Sequence, residues 1–246
     1  MFGAFIIGDE LLVGKREDKH LGFLIGALAR RGLRLGWAHY LGDDPARLTQ
    51  ALARSFASSD VVFSFGGIGA TPDDHTRHCA AAALGVPLKL HPEAEREIRV
   101  RFAGAEATPQ RLQMGEFPQG AAIIPNPVNR IPGFSVADHH FVPGFPQMAW
   151  PMAEWVLDTR YRERFGSDKW AEGSILVFEA GESQLIPAMQ TVEREFTGIK
   201  VFSLPSMGAD GSRIHVELGV RGDPAQVGAA MEALRREVRA AGFPYK

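Results

Sequence analysis

Asp60-Val61-Val62-Phe63-Ser64-Phe65-Gly66-Gly67-Ile68-Gly69-Ala70-Thr71-Pro72-Asp73-Asp74-His75-Thr76 reads as a strand, a tight glycine-rich loop and the approach to a helix. The run from Asp60 to Phe65 is short and apolar, which suits a strand covered on both faces. Glycine at 66, 67 and 69 lets a ligand come close to the backbone and lets successive N–H groups point at it. A helix that follows such a loop offers unpaired amides and a positive dipole end to an anion. The stretch is neither a phosphate loop with its lysine nor a dinucleotide fingerprint with a third spaced glycine. A plain strand-to-helix turn, with Thr71 or Asp73 as N-cap, would account for the same residues.

Upstream the pattern repeats. Phe5 to Gly8 is a predicted strand, and Leu21, Leu24, Ile25 and Leu28 have helical spacing, with Gly32 as the stop. Leu33 to Leu41 is the next strand and ends at Gly42-Asp43-Asp44-Pro45. Pro45 opens a helix with Leu48, Leu52 and Phe56 on one face. With the helix expected to run to about Leu84, three β-α units predict an α/β fold, a doubly wound and mostly parallel sheet with right-handed crossovers. Ligands in such sheets sit at the carboxyl ends of the strands. Gly8-Asp9-Glu10, Gly42-Asp43-Asp44 and the loop Gly66 to Gly69 should therefore face one rim.

The middle of the chain is less regular. Pro92 to Phe102 and Pro109 to Met114 are expected as helices, and Ala121 to Ile124 as a strand. Gly133 to Val136 and His140 to Val142 should pair as a hairpin. After the turn Pro143-Gly144-Phe145-Pro146, Gln147 to Phe165 should be helical, with Met148, Met152, Trp155 and Val156 on one side. Residues 1–166 form the first expected domain. Residues 167–246 form the second, a small α+β domain with strands at Ser174 to Phe178, Ile199 to Leu204 and Arg213 to Val220. Leu185, Ile186, Met189, Val192 and Phe196 pattern one of its helices, and Val227, Met231, Leu234 and Val238 the other.

Composition bounds the function. The 246 residues are 45% hydrophobic and 23% charged, with a formal net charge of −2, which gives no bulk electrostatic reason to expect nucleic acid or an anionic membrane as partner. The single cysteine, Cys79, lies in a helical stretch of small residues and reads as a buried structural thiol. It cannot form an intramolecular disulfide, which suits a reducing cytoplasm. The N-terminal run has no basic residue ahead of it and reads as a first buried strand, and no apolar stretch reaches membrane-span length. A homo-oligomer is also an open expectation, because exposed helix faces of doubly wound domains often pair.

Acidic residues sharpen the reading of the rim. Helix capping alone explains one of Asp73 and Asp74. Two of them, facing a rim that also holds Asp9, Glu10, Asp43 and Asp44, would repel a phosphate unless a divalent cation sat between, and Mg²⁺ prefers such oxygen ligands. A turn and N-cap is the competing reading of Asp43-Asp44-Pro45. His75 and His78 lack the partners of a zinc site. His139-His140, at the hairpin, is expected to lie polar at the surface rather than to serve as a ligand, and no Ser/His/Asp nucleophile signature occurs.

Gly8-Asp9-Glu10-Leu11-Leu12-Val13-Gly14-Lys15, Gly42-Asp43-Asp44, Gly66 to Thr76, Leu84-Gly85-Val86-Pro87-Leu88, Pro125-Asn126-Pro127-Val128, Pro132-Gly133-Phe134 and Pro143 to Met148 occur in this order. Together they resemble the CinA-like (competence/damage-inducible protein A) branch of the molybdopterin-binding MoaB/Mog superfamily, and are similar to the molybdopterin-binding region of FAD synthases. The resemblance covers nearly the whole chain and implies a KH-like second domain. It implies a pterin- or nucleotide-phosphate site at Gly66, Gly67, Ile68, Gly69, Ala70, Thr71 and Thr76, bordered by Pro143, Gly144 and Pro146. Asp74 is implied as the principal catalytic acid, with Asp43 or Asp44 as second. Asp74, Asp73, Asp43 and Glu10 are the candidate ligands of a divalent cation (Mg, Mn or Co). The implied activity is metal-assisted hydrolysis of the pyrophosphate of ADP-ribose-like or FAD-like dinucleotides. A non-catalytic module that binds molybdopterin is the alternative.

This sequence departs from the family at Ile68, Ala70 and Asp9, where threonine is usual at the last. The family's C-terminal nicotinamide-nucleotide deamidase domain is expected to be lacking, so that activity is not carried over. Nucleic-acid binding by the second domain is disfavoured. The G-x-x-G match Gly208 to Gly211 carries an acid and lies between strands, and residues 166–246 hold nine Lys/Arg against eleven Asp/Glu.

Overall fold

Strand β1 (Phe2–Ile7) is buried along its whole length, as a strand covered on both faces must be. The structure is a computed structural model that describes residues 1–103, 108–167, 170–209 and 213–246. Two compact units, Met1–Ser167 and Asp168–Lys246, divide the chain.

In the first unit β1 is followed by the short helix α1 (Asp9–Leu12), α2 (His20–Ala29), β2 (Leu35–Leu41), α3 (Pro45–Phe56), β3 (Val61–Phe65) and α4 (Thr76–Leu84). Then come β4 (Leu88–Leu90), α5 (Pro92–Arg101), α6 (Pro109–Leu112), β5 (Glu116–Pro118), β6 (Ala122–Ile124), β7 (Gly133–Val136), β8 (His139–Val142) and α7 (Pro146–Arg160). The main sheet has the order β2-β1-β3-β8-β7-β6. β2, β1, β3 and β8 run parallel, and β7 and β6 extend the edge antiparallel. The fold is thus α/β with a mostly parallel central sheet. Its strand order reverses at β1, where β2 and β3 leave on opposite sides.

Alternation along the strands supplies both layers. Phe2, Ala4, Ile6, Phe63 and Phe65 pack on one face against Leu24 and Leu28 of α2 and Met152 and Val156 of α7. Phe5, Ile7 and Val62 pack on the other against Leu48 and Leu52 of α3 and Cys79 and Ala80 of α4. Cys79 is buried and unpaired by disulfide. The helical stripes differ from the sequence reading at their margins. Ile25 and Trp155 are exposed, because α2 buries His20, Leu24, Ala27 and Leu28, and α7 buries Ala149, Met152, Ala153, Val156 and Leu157. Ala27, Ala149 and Ala153 thus fill buried positions of these faces, and Ile25 and Trp155 lie beyond their margins.

The histidine pair is the larger correction. His139 and His140 are 1% and 0% exposed, not surface residues. The hairpin turns on Ala137 and Asp138, both at positive φ (47° and 54°), so the histidines already belong to β8 and lie under covering layers. His139 contacts the Ser55 hydroxyl at 2.7 Å, and His140 reaches the Tyr161 hydroxyl at 2.6 Å.

The second unit contains β9 (Ala171–Val177), α8 (Glu182–Glu195), β10 (Lys200–Met207), β11 (Arg213–Gly222) and α9 (Pro224–Ala240). Its antiparallel sheet has the order β10-β11-β9, with Val177, Val216, Leu218 and Val220 packed on Leu185, Val192, Leu234 and Val238. Ile186 is exposed rather than part of that stripe. The sequence match to G-x-x-G extends past the described residues at Asp210 and Gly211. Among the described residues no helix is long and apolar enough to cross a membrane.

Candidate functional site

The four parallel strands end at one cleft. β1 leads to Gly8 and Glu10, β2 to Asp43, β3 to the loop Gly66–Thr71 with Asp73 and Asp74, and β8 to Pro143, Gly144 and Phe145. Asn126, Asn129, Ile131, Met114 and Met148 complete the walls. Its volume, about 410 Å³, lies in the range of small-molecule sites.

The loop is folded tightly against its neighbours. The Gly66 amide donates to the Val142 carbonyl at 3.0 Å, which carries the β3–β8 ladder one residue further. Gly66 and Gly67 have φ of 105° and 69°. A Cβ on Gly66 would lie 2.3 Å from the Ile7 carbonyl oxygen, and one on Gly67 2.2 Å from Thr76 Oγ1. Only glycine fits such positions.

Its carbonyls are then drawn inward. Gly66 O accepts from the Thr76 hydroxyl at 3.2 Å, Gly67 O from the Thr76 amide at 3.0 Å, and Gly69 O from Arg77 Nη2 at 2.7 Å. The amides of Gly67, Ile68, Gly69 and Ala70 have no intramolecular acceptor among the described residues. Thr76, completely buried, therefore anchors the loop from beneath rather than lining the cleft.

α4 begins at Thr76 with His75 as its N-cap residue, so neither Thr71 nor Asp73 caps it. The first helical amide is already taken by Gly67 O. Gly67, Ile68, Gly69 and Ala70 of the loop line the cleft, whereas Arg77 and His78 of the first turn of α4 do not.

The acidic residues separate into roles. Glu10, Asp43, Asp73 and Asp74 line the cleft. Asp44 does not: it accepts from the Arg47 amide at 2.8 Å and caps α3, whose first residue is Pro45. Asp74 Oδ2 accepts from both the amide (2.9 Å) and the hydroxyl of Thr71, which closes the turn of the loop. Burial, with the charges of Asp9, Glu10 and Asp73 nearby, pushes the Asp43 carboxyl above its usual range, while the Asp9 amide opposes the shift. Among the described residues, no group of three or more His, Cys, Asp or Glu is arranged to hold a metal ion.

Several lining or supporting residues had no signal in the sequence. Arg16 is the one cationic side chain lining the cleft among the described residues; it lies 3.9 Å from Glu10 and over the Phe145 ring. His20 supports the Gly144 wall: its Nε2 donates to the Gly144 carbonyl at 3.2 Å, and its ring stacks on Phe65. Pro146 borders an adjoining depression beside His20 rather than the main cleft. Asn126, whose Oδ1 accepts from the Val128 amide and whose Nδ2 donates to the Ile131 carbonyl, shapes the opposite wall.

The architecture is that of a doubly wound α/β domain with its cleft at the topological switch point. Residues 3–163 match the family model described as "Probable molybdopterin binding domain", and the chain belongs to that family. A CinA-like protein from Anaeromyxobacter sp. (strain Fw109-5) is 34% identical over 250 residues, covering 92% of this chain and 60% of its own. A CinA-like protein from Geobacter sp. (strain M21) is 33% identical over 191 residues, covering 75% of this chain and 46% of its own. The chain thus spans about half the length of the curated relatives it matches. A crystal structure of a CinA protein of unknown function from Thermoplasma acidophilum aligns with a TM-score of 0.59 at 27% identity, over 64% of this chain and 95% of that one.

Proposed function

We propose that the cleft binds a phosphorylated small molecule, a pterin phosphate or an ADP-containing dinucleotide, and hydrolyses the pyrophosphate of ADP-ribose-like or FAD-like substrates with a divalent cation. The observation that carries this reading is the pairing of opposites in one cavity: four loop residues whose amides have no acceptor among the described residues and four carboxylates line the same cleft. The amides of Gly67 to Ala70 would hold one phosphate. The carboxylates would repel it unless a cation intervened, and Arg16 alone cannot offset four of them.

The donor set suits a hard cation that takes few ligands from protein and the rest from phosphate and water, as Mg²⁺ does. Asp43 and Asp74 are the principal candidates to hold it, with Glu10 and Asp73 beside them. When bound, such a cation neutralises the diphosphate and polarises water for attack at phosphorus.

A second reading, a non-catalytic module for molybdopterin, is favoured by the commitment of Asp74 Oδ2 to Thr71. Incubation with ADP-ribose or FAD and Mg²⁺, Mn²⁺ or Co²⁺ separates the two. Turnover that is lost in Asp74→Ala supports hydrolysis. No turnover above that variant with any of the metals overturns it and leaves the binding module, for which pterin fluorescence in the purified protein is the readout.

A further inference from the structure

Arg77 is buried at 3% exposure and has no carboxylate in ion-pair contact among the described residues. Its donors go to backbone carbonyls from two separate walls of the cleft. Nη2 donates to Gly69 O at 2.7 Å, and Nη1 donates to Gln113 O and, at 3.4 Å, to Glu116 O. Met114, between those last two residues, lines the cleft. Nε has no partner. Burying a guanidinium in this way is costly, and burial pulls its pKa down against the opposing pull of Glu116 and Asp74.

We propose that Arg77 is the positioning residue that makes the glycine loop an anion receptor and sets its distance from the Gln113–Glu116 wall; the proposal rests on the phosphate-binding reading of the cleft. In a planar trans peptide the C=O and N–H point in opposite directions. A guanidinium that holds the Gly69 carbonyl inward therefore turns the Ala70 N–H outward. Thr76 does the same for the Gly66–Gly67 and Gly67–Ile68 peptides, through Gly66 O and Gly67 O. The planar fork of arginine spans carbonyls on both walls, whereas the compact ammonium of lysine cannot reach all three. An anion on the Ala70 N–H would polarise the peptide and strengthen Gly69 O as an acceptor, so occupancy of the loop is felt at Arg77.

Titration of the ¹⁵N-labelled full chain with inorganic pyrophosphate in the presence of excess Mg²⁺ tests this. In the wild type, pyrophosphate shifts the amide resonances of Gly67 to Ala70, together with the Arg77 side-chain nitrogens. Arg77→Lys keeps the spectrum outside the cleft, loses the Ala70 shift and binds at least tenfold more weakly. Arg31→Lys, on the α2–α7 face where Arg31 pairs with Asp158, binds as the wild type does. Arg77→Lys binding within twofold, with the same shifts, overturns the role of Arg77 and leaves the cleft reading intact. Wild-type shifts in the loop with unmoved Arg77 nitrogens overturn it also, whether or not the variant folds. No loop shift in the wild type overturns the phosphate reading itself, and the proposal with it.

Discussion

Asp9 and Asp43 hold each other across the ends of β1 and β2: the Asp9 amide donates to Asp43 Oδ2 at 2.9 Å, and the Asp43 amide donates to Asp9 Oδ1 at 3.2 Å. The exchange fixes Asp43 at the cleft while Asp9 itself stays off its lining. Asp9 thus acts as a brace between strand ends. The brace brings like charges together, and this has a measurable consequence.

A carboxyl whose folded pKa lies above its unfolded value, as for Asp43, binds protons more tightly in the folded state. Its ionised form weakens the fold above that pKa, and the cost disappears as pH falls through it. Asp43→Asn should therefore raise the Tm at pH 7, by about 1–3 °C given solvent screening of a half-exposed group. The same change should weaken Mn²⁺ binding at least tenfold by calorimetry. A lower Tm with Mn²⁺ affinity intact would contradict the role given to Asp43.

The neighbouring Asp44 should behave differently. Asp44→Ala removes the acceptor for the Arg47 amide and costs about 1 kcal/mol of stability in urea unfolding. Mn²⁺ affinity stays that of the wild type. A tenfold loss of Mn²⁺ binding in this variant would return Asp44 to the site.

Glycines give a sharper contrast. Gly66→Ala places a methyl group against the Ile7 carbonyl at a φ of 105°, and should destabilise by about 2 kcal/mol or more. Gly22 lies inside α2, where an added methyl group would meet nothing within 4 Å, so Gly22→Ala should stabilise by about 0.5–1 kcal/mol. Equal effects of the two in urea unfolding would deny the close approach of the loop to β1.

The parallel core and the glycine loop were legible because their signals are local. Val61 to Phe65 is apolar without interruption, and the glycines at 66, 67 and 69 mark a backbone without room for side chains. β4 and β5, of three residues each, are too short to show a period. Arg77 was illegible for another reason. Its partners are carbonyls of Gly69, Gln113 and Glu116, and carbonyls belong to every residue. Sequence alone leaves the roles of Asp43 and Asp44 open because a turn and a cleft ask for the same residue type, and only the partner of each carboxylate separates them.

His140 illustrates the same limit and yields a prediction in pH. The Asp138 carboxylate can only accept, so the Tyr161 hydroxyl donates to it at 2.9 Å. The Tyr161 oxygen then accepts from His140 Nε2–H at 2.6 Å, and His140 Nδ1 accepts from the Ser135 hydroxyl at 2.8 Å. This chain requires neutral imidazole. Burial pushes the His140 pKa down to about 3, with the charges of Arg160 and His139 acting the same way. The unfolded chain takes up the proton near the ordinary histidine value of about 6.5. Stability is therefore full above that value and falls as pH drops from about 6.5 toward 3, because the unfolded state binds the extra proton. Urea midpoints measured from pH 7.5 to 5 should decline through this window, and less steeply in His140→Gln. Tyr161→Phe, which strands His140 Nε2–H without an acceptor, should cost about 1–3 kcal/mol at pH 7.5. A variant His140→Gln with the same slope as the wild type would place the pH sensitivity in other groups and leave this chain of hydrogen bonds without influence on it.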